Sequence, residues 1–227
     1  MSLILGLIEM LLLGAWFVLR WHRLQQALQW WYRQHVLRLF DEAEAARNGV
    51  LQDAFTLRRT VELSLIQHQA LKKADEEKLL MTLGELHDSL KRFSDFLSPP
   101  YLEDSFPMSI EHLLRSHQHP DVVLDFSLPK KWQPNSYEQS RVVWIAIDEL
   151  LRIAIAPSVE SISACLTQRT TTHEFMIQIF YSNDNCQTFQ TQLTELSHLR
   201  RAAQFLTAGT CTYHFDNATL KWLLQWS

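Results

Sequence analysis

Glycine is scarce in this chain: 5 of 227 residues, where average usage would give roughly 16. Tryptophan outnumbers it at 8. Gly6, Gly14, Gly49, Gly84 and Gly209 are dispersed, so neither G-x-G-x-x-G nor a P-loop can be written. Backbone approaches a phosphate closely only where no Cβ intervenes. Nucleotide chemistry is therefore absent or unorthodox. Cysteine is also sparse. Cys165, Cys186 and Cys211 are odd in number and show no C-x-x-C spacing, which favours a reducing compartment and buried thiols over disulfides or zinc. A net charge of −4 leaves no nucleic-acid footprint. What remains, 47% hydrophobic and 20% charged, fits a folded chain of one or two domains.

Leu3 to Leu19 is almost unbroken apolar sequence, interrupted by Glu9. A helix of that length spans about 26 Å, near the lower limit for a bilayer core of about 30 Å. Arg20, His22 and Arg23 follow at once, then Arg33 and Arg38. The positive-inside bias places the C-terminal side in the cytoplasm, giving a single-pass membrane protein. Trp16, Trp21, Trp30, Trp31 and Tyr32 read as an interfacial aromatic belt running into a cytoplasmic helix. A cleaved signal peptide would need a basic start and a small-residue cleavage site, both missing. A surface-lying helix would need a polar face, and the apolar run covers the whole circumference. Glu9 is costly at membrane depth. It either pairs with a polar group of another protein or is protonated near the membrane edge.

No proline lies between Trp21 and Leu97. Val50, Ala54, Leu57, Val61, Leu65 and His68 share one helical face, and Leu79, Leu83, Leu86, Leu90, Phe93 and Leu97 form a heptad seam. Lys72-Lys73-Ala74-Asp75 reads as the turn of a helical hairpin, with Asp75 as N-cap and Glu76 and Glu77 in the first turn. Pro99-Pro100 stops the second helix. Two such helices cannot bury both faces alone, so a homodimer closing a four-helix bundle is expected; a monomeric hairpin packed on the C-terminal domain is the alternative.

The C-terminal half reads as α/β. Val122–Phe126, Ser161–Leu166, Phe175–Phe180 and Leu220–Trp226 have strand character, and Ser140–Ala156 and Leu196–Leu206 have helical spacing. That order suggests helices covering one face of a mixed sheet. The expected fold class is thus α+β: a transmembrane helix at 1–20, a juxtamembrane helix and hairpin at 21–98, and an α/β sandwich at 99–227.

Several short patterns occur in a telling order. Leu97-Ser98-Pro99-Pro100-Tyr101-Leu102-Glu103-Asp104 precedes Ile110-Glu111-His112-Leu113-Leu114; then comes Ser140-Arg141-Val142-Val143-Trp144-Ile145-Ala146-Ile147-Asp148-Glu149-Leu150-Leu151, and later Arg200-Arg201-Ala202-Ala203. Over residues 41–227 the chain resembles bacterial sensor histidine kinases of the nitrate-sensor-like branch. The resemblance implies a dimerisation hairpin and a GHKL-type ATPase domain. That family phosphorylates its own histidine from ATP and passes the phosphoryl group to a response regulator. The chemistry needs an imidazole nucleophile beside a base, an Asn holding Mg²⁺, and glycine loops at the nucleotide.

The resemblance also shows each of these elements degenerate. Gln52 stands where the acceptor His is implied, followed by the acid Asp53. Glu149 matches the family's helix glutamate, but Ile153 replaces the magnesium-binding Asn, and a branched alkyl group offers no oxygen. Tyr181 falls at the adenine-contacting Asp, and Asn183 and Asn185 at two loop glycines. Thr194-Glu195-Leu196-Ser197-His198 stands in for the second glycine box. A rival acceptor, His87 in Glu85-Leu86-His87-Asp88-Ser89-Leu90, lies too near Pro99 to leave a second helix. His117 and His119 flank Gln118 and suggest either a metal pair or, with no carboxylate or cysteine cluster beside them, a solvated loop. The expected function is a catalytically inactive, histidine-kinase-like adaptor or regulator in two-component signalling. It is expected to bind neither ATP nor Mg²⁺ and to act on a response regulator, a kinase or a membrane-complex partner. An accessory or assembly subunit of a larger membrane complex is the alternative, with an active kinase using unusual residues as the weaker one.

Overall fold

Ser136 begins the element around which the C-terminal half is built. Its hydroxyl accepts a hydrogen bond from the Gln139 N–H at 3.2 Å, satisfying one orphan donor of the helix start. Glu138 in the first turn and Arg152 in the last complement the helix dipole. A computed structural model describes residues 2–66, 73–117, 119–133, 136–155, 159–169, 172–182, 189–216 and 218–227. Side chains are described throughout these except at 2–5, 7, 46, 64–66, 73–76 and 189–191. In order the elements are α1 (Ser2–Ala45), a π-helical turn (Ala46–Val50), α2 (Leu51–Ile66), α3 (Lys73–Leu97), α4 (Phe106–Ser116), β1 (Val123–Ser127), α5 (Tyr137–Ala154), β2 (Val159–Gln168), β3 (His173–Tyr181), α6 (Phe189–Leu206), β4 (Thr210–Asp216) and β5 (Thr219–Trp226). They form two compact units, Met1–Tyr32 with Tyr101–Ser227, and Arg33–Pro100.

In the larger unit the sheet order is β1-β2-β3-β5-β4, with β1 parallel to β2 and the remaining pairs antiparallel. The period-two pattern sets the register. Leu166 pairs with Phe175 and Phe175 with Leu224, while Ile177 lies between Ala164 and Trp222. These side chains are fully or nearly fully buried and share one core with Ile110 and Leu114 of α4, Ile147 and Leu150 of α5, and Leu196 and Leu199 of α6. The mixed α/β sandwich anticipated for this half is therefore present. Two elements were not anticipated. α4 is short and opens on Pro107, and β4 buries a single side chain, Cys211, along its length.

Gly209 has a specific task between α6 and β4. A Cβ there would lie 2.0 Å from the Gln225 backbone oxygen, so no other residue fits. The left-handed positions, by contrast, are held by Tyr101, Ala208 and Ala218. Cys165 and Cys211 are free thiols, and burial pushes the Cys211 thiol up to about 12. Cys186 lies outside the described residues.

The first half of α1 differs from its expectation. α1 runs unbroken through residue 20 to Ala45, and its stretch from Ala27 to Trp31 packs with the α/β sandwich. Ala27 is fully buried, and Trp30 and Trp31 are packed on the core. The Trp30 ring stacks on His198 of α6 at 5.9 Å. Trp30 and Trp31 are thus core-facing anchors and not members of an aromatic belt, because a helix that buries Ala27 must bury the side chains one turn further along the same face. Trp16 and Trp21 are exposed, as is Glu9. Among the described residues no helix is long and apolar enough to cross a membrane. The side chains of residues 3–5 and 7, which belong to the expected span, are not among those described.

In the smaller unit α3 returns alongside the end of α1: Phe96 faces the His35 ring at 6.4 Å and the Arg38 guanidinium at 5.4 Å. The hairpin is present, but α3 starts at Lys73, so Lys73 and Ala74 are helical and Asp75 is not the N-cap. His68 and Lys72 lie outside the described residues. The expected seam is half covered. Leu79, Leu86 and Phe93 are partly buried, while Leu83 and Leu90 remain about half exposed.

Candidate functional site

The residues that carry the resemblance meet at one end of the sheet, where α5 finishes and β3 finishes. Tyr181, the last residue of β3, is 5% exposed, and its hydroxyl donates to the Ala154 carbonyl at 2.9 Å. That carbonyl belongs to the last turn of α5, where no backbone N–H can reach it. Tyr181 thus closes the helix end, and burial raises its phenol above the ordinary tyrosine value. The Phe215 ring lies 6.2 Å away. Ile153, adjacent to Ala154, is 6% exposed and belongs to the same core.

One turn earlier Glu149 is buried and bound to Arg152 by a two-pronged contact, Arg152 Nε reaching Oε2 at 3.2 Å and Nη2 reaching Oε1. The hydrogen bond to Glu149 raises the Arg152 guanidinium above its usual value. Beside it Asp148 is buried, with one carboxylate oxygen 2.8 Å from His117 Nε2. His117 therefore does not lie in a solvated loop. It forms the C-cap of α4, and the bond to Asp148 ties α4 to α5. His119 is exposed, 3.6 Å from Asp121. Among the described residues no three His, Cys, Asp or Glu side chains are grouped to hold a metal ion.

Gln52 and Asp53 lie in the first turn of α2, Gln52 exposed with its carbonyl accepting from the Thr56 hydroxyl at 2.9 Å. His87 is exposed on α3. Asn183 and Asn185 lie outside the described residues.

A second site was not anticipated. A cleft of about 590 Å³ is lined by Leu102, Phe106, Lys130, Lys131, Trp132 and Tyr137 among others. Trp132 also borders a smaller cleft with Gln133 and Arg169. Neither is lined by Glu149, Ile153 or Tyr181. Behind Trp132 sits His173, its ring 4.8 Å from Trp132 and 5.6 Å from Trp226, its Nδ1 buried with no hydrogen-bond partner among the described residues. Burial lowers the His173 pKa. The sequence signal was present in Lys130-Lys131-Trp132 and in a histidine at an inward strand position, but the two lie far apart along the chain.

No protein-family profile matches this chain, and no curated protein matches it. Solved structures it is similar to include histidine kinases. Histidine kinase AdeS of Acinetobacter baumannii is 14% identical, over 77% of this chain and 94% of that one, with a TM-score of 0.39. The histidine kinase domain of the blue-light activated kinase EL346 of Erythrobacter litoralis is 8% identical, over 75% and 94%, with a TM-score of 0.42. The nucleotide-free catalytic domain of histidine kinase ThkA is 10% identical, over 55% and 90%, with a TM-score of 0.36.

Proposed function

We propose that this chain is a membrane-anchored, histidine-kinase-like protein that does not catalyse phosphoryl transfer and acts by binding other proteins, as a dimeric adaptor or regulator. The observation that carries the reading is the Tyr181–Ala154 closure. At the positions where the sequence resemblance implies an adenine-contacting Asp and a magnesium-binding Asn, the chain has a buried phenol hydrogen-bonded to α5 and a buried isoleucine. Glu149, the retained helix glutamate, commits its carboxylate to Arg152. MgATP titrated into the full chain in a calorimeter should give no binding heat. Micromolar affinity, or phosphohistidine after incubation with ATP, would overturn the proposal.

The membrane anchor is supported by the exposure of Ile8, Met10, Leu11, Leu12, Leu13, Phe17, Val18 and Leu19 around α1, a density of apolar surface that water does not tolerate uncovered. Dimerisation is supported by the half-exposed seam of α3. Leu83→Asp with Leu90→Asp should convert a dimer to a monomer in sedimentation equilibrium; a wild-type monomer in detergent would sink the bundle. The exposed Glu9 favours a second reading, a subunit of a larger membrane complex, which stoichiometric co-purification with one such complex would support.

A further inference from the structure

Outside the two sites above, three arginines lie where α1 meets α6. Arg23, Ala27 and Trp30 recur at helical spacing on one face of α1. Ala27 is buried against the α/β unit, and Trp30 stacks on His198 at 5.9 Å with the planes 22° apart. Arg201 follows His198 by three residues on α6, on the side of the helix that faces α1, and the charge of Arg23 acts on it. Arg200 beside it lies 5.8 Å from the Tyr213 ring of β4, and its Nε is buried with no hydrogen-bond partner among the described residues. Burial and the charges of Arg200 and Arg23 hold the Arg201 guanidinium below its usual value. Glu195, the nearest acid on α6, is exposed and acts on His198 and Arg152. Among the described residues none of the three arginines has a carboxylate in ion-pair contact.

Arg23 and Arg200 both act on Arg201 with no carboxylate paired to any of them among the described residues, and the apolar stretch of α1 ends at Leu19, about one helical turn before Arg23. We propose that Arg23, Arg200 and Arg201 form a site for the phosphate of an anionic membrane lipid, seating the α/β unit against the bilayer surface. The inference rests on the proposed membrane anchor. Guanidinium is well suited to the task, since its planar fork binds phosphate oxygens bidentately and it loses little hydration on doing so. Arg200 supplies the buried donor, and Arg23 carries the site to headgroup depth.

The test uses the full chain in nanodiscs of phosphatidylcholine alone or with phosphatidylglycerol, reading thermal unfolding of the α/β unit. Anionic lipid should raise the midpoint by on the order of 5 °C. Arg200→Gln with Arg201→Gln should abolish the rise. Arg23→Gln, on an exposed side chain with no role in the core, should halve it and decides the matter if the double variant unfolds in neutral discs. No rise in the wild type, or the same rise in Arg23→Gln, overturns the site. An equal rise from inorganic phosphate in neutral discs overturns the assignment to lipid. Carbonate extraction of native membranes checks the anchor separately: release of the wild type would remove the anchor and the inference with it, whereas retention without a lipid effect removes the inference alone.

Discussion

The Tyr181 hydroxyl donates to the Ala154 carbonyl at 2.9 Å, joining the end of β3 to the end of α5 across 27 residues of chain. Tyr181→Phe keeps the ring and leaves that buried carbonyl without its donor. It should cost about 1–3 kcal/mol in urea unfolding, with no gain of nucleotide affinity. A neutral result would mean that water reaches the helix end.

His117 and Asp148 form the corresponding tie between α4 and α5. A double-mutant cycle with His117→Ala and Asp148→Ala should show coupling of about 1–3 kcal/mol. Strict additivity would reduce the 2.8 Å contact to a coincidence of packing.

Glycine placement gives substitutions of opposite sign. Gly209→Ala forces a Cβ to within 2.0 Å of the Gln225 oxygen and should destabilise by about 3 kcal/mol or more. Ala208→Gly and Ala218→Gly relieve left-handed strain at φ 51 and 63. Set against the added freedom of the unfolded chain, each should stabilise by up to about 1 kcal/mol. A cooperative melt of Gly209→Ala at the wild-type temperature would refute the steric argument.

Burial holds the His173 imidazole below the ordinary histidine value, so the unfolded chain binds a proton first as pH falls. Stability should be at its full value above about pH 6.5 and decline below it, as pH falls toward the folded-state value. The groups around His173 are the rings of Trp132 and Trp226, neither charged. His198 adds to the decline in the same direction, through burial and Arg201, with Glu195 opposing. His173→Phe should flatten part of the decline in denaturation midpoints between about pH 8 and pH 5. An unchanged slope would place the titration elsewhere.

The sheet was legible because alternation is strict in β3 and β5 and, past an irregularity between Val159 and Ser161, regular from Ile162 to Leu166 in β2. β4 was not, since Thr-Cys-Thr-Tyr-His-Phe-Asp buries only Cys211 and stands as an edge strand through pairing with β5. Within the site, the family resemblance along α5 picked out Glu149 and Ile153. The link of His117 to Asp148 joins residues 31 apart and leaves no local signature, so a capping histidine read as a loop. Trp30 and Trp31 misled for a related reason. Next to an apolar run, tryptophan signals a lipid interface as readily as a core, and only the burial of Ala27 separates the two.

The closure at Tyr181 bears on history as well as on stability. Under the proposed reading, a chance return of Asp at 181 would place a carboxylate among core side chains and orphan the Ala154 carbonyl. A return of Asn at 153 would bury an amide. Neither change alone restores a nucleotide site, and each is penalised at once. On that reading, two core positions must change together before a nucleotide could enter, because each change alone weakens the fold that holds the other.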